Sequence, residues 1–137
     1  MKLFKHYLPA IARILMGLVF FVTGLNGFLN FIPPPKSPMP EAAASFMTAL
    51  ARTGYMIPLV SGVQLLVGAL LLVNRFVPLA LTLIAPIIVG IITFHVFLEP
   101  SGLPLAGVVL ILEIYLAWRY RKAFRPILII RTTPDIK

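Results

Sequence analysis

The chain has no cysteine and only four acidic residues among 137. Without cysteine there are no disulfides, no thiolate-ligated metal or iron–sulfur centres and no thiol redox relay within the chain. The few acids are scattered, so no paired catalytic carboxylates arise. Phosphate-binding glycine loops, dinucleotide fingerprints and haem-ligating histidine pairs are missing as well. Charged residues of both signs make up 12% of the chain, about half of the ~25% usual for a water-soluble domain. What is present instead is apolar: 60% of residues are hydrophobic and the mean hydropathy is +1.01.

The apolar residues fall into four long blocks, Leu8–Phe31, Tyr55–Val73, Phe76–Leu98 and Leu103–Tyr120. A bilayer is crossed by about 20 helical residues. The blocks therefore predict an all-α membrane protein, an antiparallel bundle of four transmembrane helices forming a single membrane domain over residues 1–137. The basic start followed by an apolar run is too long, and too interrupted by Arg13, for a cleaved secretory signal, so a retained first helix is expected.

The formal net charge is +8, which raises nucleic acid as a partner, but the basic residues cluster at the ends of the apolar blocks rather than on a polar face. Lys2, Lys5 and His6 precede the first block, and Arg75 separates the second from the third. Arg119, Arg121, Lys122, Arg125, Arg131 and Lys137 follow the fourth. All of these fall on one side of a four-span protein, whereas the other side holds only Lys36 and Arg52, offset by Glu41 and Glu99. Cytoplasmic loops collect Lys and Arg, so both termini are expected in the cytoplasm and no nucleic acid is expected as a partner.

Between the first two blocks, the proline-rich stretch 32–40 can be neither helix nor sheet interior. In residues 41–53, Ala43, Phe46, Met47 and Leu50 share one helical face, opposite Glu41, Ser45, Thr48 and Arg52. That spacing predicts a short amphipathic helix in the outer loop, ended by Gly54. Pro58 and Pro78 stand at helix starts, where the missing N–H costs least. Pro86, at mid-span, is expected to kink its helix and free the carbonyl of Thr82. Asn74-Arg75 and Glu99–Gly102 leave room only for tight turns. Trp118 and Tyr120 suit the inner interface, and the tail from Phe124 to Lys137 is expected to rest on the inner surface.

Polar groups are expensive in lipid, so each is a functional candidate. Counted at ~1.5 Å per residue, Arg13 and Glu113 lie at matching depths of about 9 and 8 Å near the inner end. They are the candidates for an intramembrane ion pair between the first and fourth spans, a structural link. Alternatively, Glu113 relays protons or contacts a ligand headgroup, or Arg13 snorkels to the inner surface on its own. Near the outer end lie Asn26, Gln64 and His95, with Thr23, Ser61 and Thr93 close in sequence. If they face inward they form either a polar ligand pocket or an interhelical hydrogen-bond network. One histidine and two amides do not make a metal site, and no activated hydroxyl nucleophile is evident. They suit a carbonyl-bearing ligand such as a quinone, with Phe94 and Phe97 as apolar walls. No cofactor is dictated.

The string FHVFLEPSGLP, Phe94–Pro104, resembles the FH-x-FL-(D/E)-PSG-LP signature of the DoxX-like family of small bacterial membrane proteins. Arg13–Gly17 (RILMG), Gly24–Gly27 (GLNG), Thr53–Leu59 (TGYMIPL) and Arg75–Leu79 (RFVPL) resemble its first helix and later helix starts. The resemblance implies a four-helix inner-membrane bundle linked to quinone or sulfur redox metabolism, since some relatives are membrane subunits of thiosulfate:quinone oxidoreductase. It carries no agreed catalytic residues, and at Gln64, where many relatives are expected to hold a carboxylate, this chain has an amide. The leading expectation is a membrane or partner subunit in contact with a redox protein. The alternatives are a quinone-linked oxidoreductase with a cofactor-bearing partner, and a non-redox transporter or scaffold.

Overall fold

A computed structural model of the chain describes residues 2–130, with side chains from Tyr7 onward. Lys2, Lys5, His6, Arg131 and Lys137, which belong to the basic pattern above, have side chains outside the described residues. The elements are α1 (Lys2–Leu29), α2 (Glu41–Arg52), α3 (Met56–Leu72), α4 (Val77–Phe97), a 3-10 turn (Pro100–Gly102), α5 (Leu103–Arg119), α6 (Arg121–Phe124) and a second 3-10 turn (Arg125–Leu128). Among the described residues there is no strand. The protein is an all-α membrane bundle.

Among the described residues, three helices are long and apolar enough to cross a bilayer: Tyr7–Leu29, Val77–Phe97 and Pro100–Arg119. The number rises to four if α2 and α3, bent by 90° at their junction, count together as one span. With 17 residues, α3 is about 26 Å long, slightly less than the ~30 Å hydrocarbon layer. Only 33%, 28% and 22% of the three longer spans is buried inside the protein. Their outer faces carry residues such as Leu15, Leu83, Val89, Leu105, Ile111 and Ile114, and lipid rather than water is the medium that can cover them.

Helices α1, α3, α4 and α5 pack in a closed ring, α1 on α3, α3 on α4, α4 on α5 and α5 back on α1. The α1–α3 contact is the most extensive. It is antiparallel, because Gly17 meets Leu71 and Leu72 whereas Gly24 and Gly27 meet Ser61. Two glycines permit this close approach. A Cβ on Gly24 would stand 2.8 Å from the Leu65 Cα, and one on Gly68 would stand 2.6 Å from the Phe21 Cα. Where hydrophobic burial gives no drive for association, such backbone proximity supplies the dispersion contact that holds helices together. The core is one stripe from each helix: Ala12, Met16 and Phe20 of α1, Val67 and Leu71 of α3, Ala80, Leu81, Ile84 and Ile88 of α4, and Val109 and Leu116 of α5.

The connections follow local chemistry. Asn30 follows α1 in the left-handed region at φ 50°, so the helix stops at Leu29, two residues before the end of the apolar block. The α3–α4 turn is a Schellman motif, in which Arg75 N donates to Leu70 O at 3.0 Å and Asn74 N to Leu71 O at 3.3 Å. Asn74 occupies the left-handed position at φ 56°, a conformation asparagine tolerates better than most residues. Gly54 ends the amphipathic helix α2 at φ 75°. The Thr53 hydroxyl donates to Leu50 O at 2.6 Å and accepts from Met56 N at 3.1 Å, stitching α2 to α3 across their right-angle bend. Pro86 lies inside α4, which continues unbroken through it.

Candidate functional site

The two polar layers occupy opposite ends of the bundle. At one end stand the first half of α1, the C-terminus of α3 and the last turns of α5; at the other stand the end of α1, the start of α3, the end of α4 and the start of α5.

At the first end Arg13, 8% exposed, does not reach Glu113. Its guanidinium donates to the carbonyl of Leu71 and, at 3.4 Å, to that of Leu72. The last carbonyls of a helix have no partner within it and carry the negative end of its dipole. A buried cation there is both hydrogen-bonded and electrostatically favoured. Arg13 is thus a cap supplied by α1 to α3. Glu113, on the buried stripe of α5 at 9% exposure, has an Oε2 with no hydrogen-bond partner among the described residues. Among the described residues no ion pair joins it to Arg13. This corrects the expected link, because equal depth on two helices does not place two side chains in the same sector of a ring.

At the second end the three candidates separate. Asn26 is half-buried and its Oδ1 accepts a hydrogen bond from Ile32 N at 2.7 Å, securing the chain where α1 stops. It ties down the chain just beyond α1 and is not among the residues lining the cavity. Ser61 is buried in the α1–α3 contact opposite Gly27. Thr93 is exposed and bonded back to Val89 O and Gly90 O, each at 3.0 Å.

Gln64 and His95, in contrast, line one cavity of about 270 Å³ together with Thr23. Its walls are Val19 and Phe20 of α1, Ile91 of α4, and Leu105, Ala106 and Val109 of α5. Gln64 comes inward because it continues the buried register Ser61, Gly68, Leu71 of α3, and His95 continues that of Ile84, Ile88 and Ile91 on α4. Phe97 is 79% exposed and is no wall of this space. Phe94 packs behind the histidine, edge-on at 5.3 Å between ring centroids, and meets Phe46 of α2 at 5.7 Å on its other side.

The imidazole is held from one side. Its Nδ1 lies 2.9 Å from the carbonyl oxygen of Glu99 and 3.5 Å from that residue's Oε2. The Ser101 hydroxyl donates to the other carboxylate oxygen. Gly102 lies flat against the ring, where any Cβ would overlap Nδ1 and Cε1 and stand 2.8 Å from Nε2. The turn 99–102 is therefore built around the histidine. Gly102 and the start of α5 are the residues that a search for polar groups passes over. Their signal in the sequence is steric, a glycine seven residues after a histidine and a small-residue register at Gly102 and Ala106.

A closed antiparallel ring of apolar helices, with an apolar cavity carrying a few polar groups at one end, defines a small integral membrane protein. The family model described as DoxX matches residues 8–98, about two thirds of the chain, and the protein belongs to the DoxX family. The match covers α1 through α4 and ends just before the turn that holds His95. No curated protein and no solved structure shows significant similarity to it.

Proposed function

We propose that this DoxX-family protein binds a quinone-class ring at the His95 end of its bundle and serves as a membrane subunit for quinone or sulfur redox chemistry. The observation that carries the reading is the convergence of Gln64 of α3 and His95 of α4 on one apolar cavity. Neither the Gln64 amide nor His95 Nε2 has a hydrogen-bond partner among the described residues. Polar groups placed in an apolar cavity without protein partners are available to a ligand, and their arrangement fixes its orientation. At about 270 Å³ the space accepts a single substituted ring. It lies just below the ~300–1,000 Å³ of sites that enclose drug-sized ligands. A longer apolar tail belongs in the surrounding lipid.

The charge pattern supports a place in the bacterial inner membrane with both termini in the cytoplasm, since the basic clusters lie at the Arg13 end. The His95 cavity is then near the outer face. The chain holds no thiol, and a two-electron reaction requires a cofactor-bearing partner. The test is purification in mild detergent with mass spectrometry of bound lipids and co-purifying proteins. A quinone-class lipid, oxidised or reduced, present in the wild type and lost in His95→Ala and Gln64→Leu is the expected result; a wild-type preparation without such a lipid or a redox partner overturns the reading. Alkaline phosphatase fused at Lys137 is expected to be inactive, and an active fusion overturns the orientation.

A further inference from the structure

Resting on the reading of this cavity as a quinone-class site, we infer that it selects the reduced, hydroxyl-bearing form of its ligand, because Glu99 fixes the tautomer of His95. Among the described residues Nδ1 faces two acceptors and no donor: the Glu99 carbonyl at 2.9 Å and the Glu99 carboxylate at 3.5 Å. A ring nitrogen so placed carries the proton and donates it. In the neutral imidazole the other nitrogen, Nε2, then has a lone pair and accepts. The ring cannot turn over to exchange the two nitrogens without losing both contacts, and Gly102 and the edge of Phe94 restrict it on two further sides.

His95 and Gln64 line the cavity; with Nδ1 committed to Glu99, the acceptor that His95 can offer a ligand is Nε2, and the amide of Gln64 both donates and accepts. A phenolic hydroxyl can donate to Nε2 and accept from the Gln64 amide. A quinone carbonyl can accept from Gln64, but its lone pairs oppose that of Nε2. A site whose polar group is left unpaired by one ligand discriminates against that ligand. The Glu99 carboxylate has a positioning role through the histidine and touches no ligand.

The probes are a decyl-substituted benzoquinone and its hydroquinone, titrated anaerobically against the full chain in nanodiscs at mildly alkaline pH, where an ordinary imidazole is neutral. The hydroquinone is expected to bind about tenfold more tightly, the effect of one hydrogen bond gained in place of one lone-pair opposition. In His95→Phe this preference is expected to vanish, with hydroquinone affinity falling about tenfold more than quinone affinity. Equal binding of the two probes, or tighter binding of the quinone, overturns the selection while leaving a quinone-class site in place. Failure of both to bind overturns the site itself. The tautomer is tested without any ligand: the chain holds two histidines, so 15N-histidine spectra with His6→Gln for assignment read His95 directly. An Nδ1–H signal is expected, and a proton on Nε2 overturns the inference even if the Phe variant fails to fold.

Discussion

The guanidinium of Arg13 caps the carbonyl of Leu71, a residue 58 positions further along the chain. The contact joins the first helix of the bundle to the end of the second long one and leaves Glu113 of α5 out of the arrangement. A charged donor on two carbonyls is worth more than a neutral hydrogen bond, and its removal leaves helix-end acceptors buried without a partner. Arg13→Met is expected to cost about 1.5–3 kcal/mol, with Arg13→Lys intermediate because it keeps the charge and loses the fork. Glu113→Gln, which breaks no hydrogen bond at Oε2, is expected to leave the melting temperature unchanged. Thermal melts in detergent followed by size-exclusion chromatography separate the three. A collapse of the Glu113→Gln variant alone would contradict the arrangement.

The α1–α3 contact makes a second prediction. Gly24→Ala and Gly68→Ala each place a methyl group against the opposing backbone, an overpacking expected to cost about 1–3 kcal/mol. Gly90 and Gly107 are the internal controls. A Cβ at either meets nothing within 4 Å, and their alanine variants are expected to melt at or slightly above the wild-type temperature. Equal behaviour of all four variants would mean that the glycines do not set the helix separation.

Gly102→Ala is expected to push the imidazole away from Glu99, because the new methyl group occupies the ring's own position. The readout is local: the His95 ring resonances shift and the Nδ1–H proton exchanges faster, while the spectrum of α1 and α3 stays the same. Ser101→Ala, which removes only the donor to the Glu99 carboxylate, is expected to shift those resonances less.

Phe46 of α2 rests on Phe94 at 5.7 Å, and few other contacts tie α2 to the bundle. An aromatic pair contributes about 0.5–1.5 kcal/mol beyond its buried area. Phe46→Ala is therefore expected to speed hydrogen exchange across residues 41–52 by roughly 2–10-fold, with α3 and α5 unchanged. Uniform acceleration through the whole bundle would assign Phe46 a core role instead.

What could be read from the sequence was whatever depends on neighbours along the chain. Block length and hydropathy specify membrane helices, because the bilayer sets a fixed thickness and every backbone polar group must be satisfied within it. Prolines at helix starts, Gly54 and the Asn74-Arg75 pair mark the breaks through their own φ preferences. The alternation of Ala43, Phe46 and Leu50 with polar residues shows α2 as amphipathic. The FHVFLEPSGLP string marks the helix end and turn around His95 for the same reason, since Nδ1 bonds only four residues ahead.

Only the tertiary structure decided which polar residues meet. Depth along a helix is linear in residue number and can be counted, whereas the sector a side chain faces depends on how four helices rotate against one another. Arg13 and Glu113 share a depth and make no pair; Arg13 finds the end of α3 because Gly24 and Gly68 let α1 and α3 approach closely. Asn26 was diverted by the break at Asn30 to the chain just beyond it. Gln64 and His95 were brought to one cavity by the packing of α3, α4 and the start of α5, a convergence of residues 31 positions apart that no local pattern encodes.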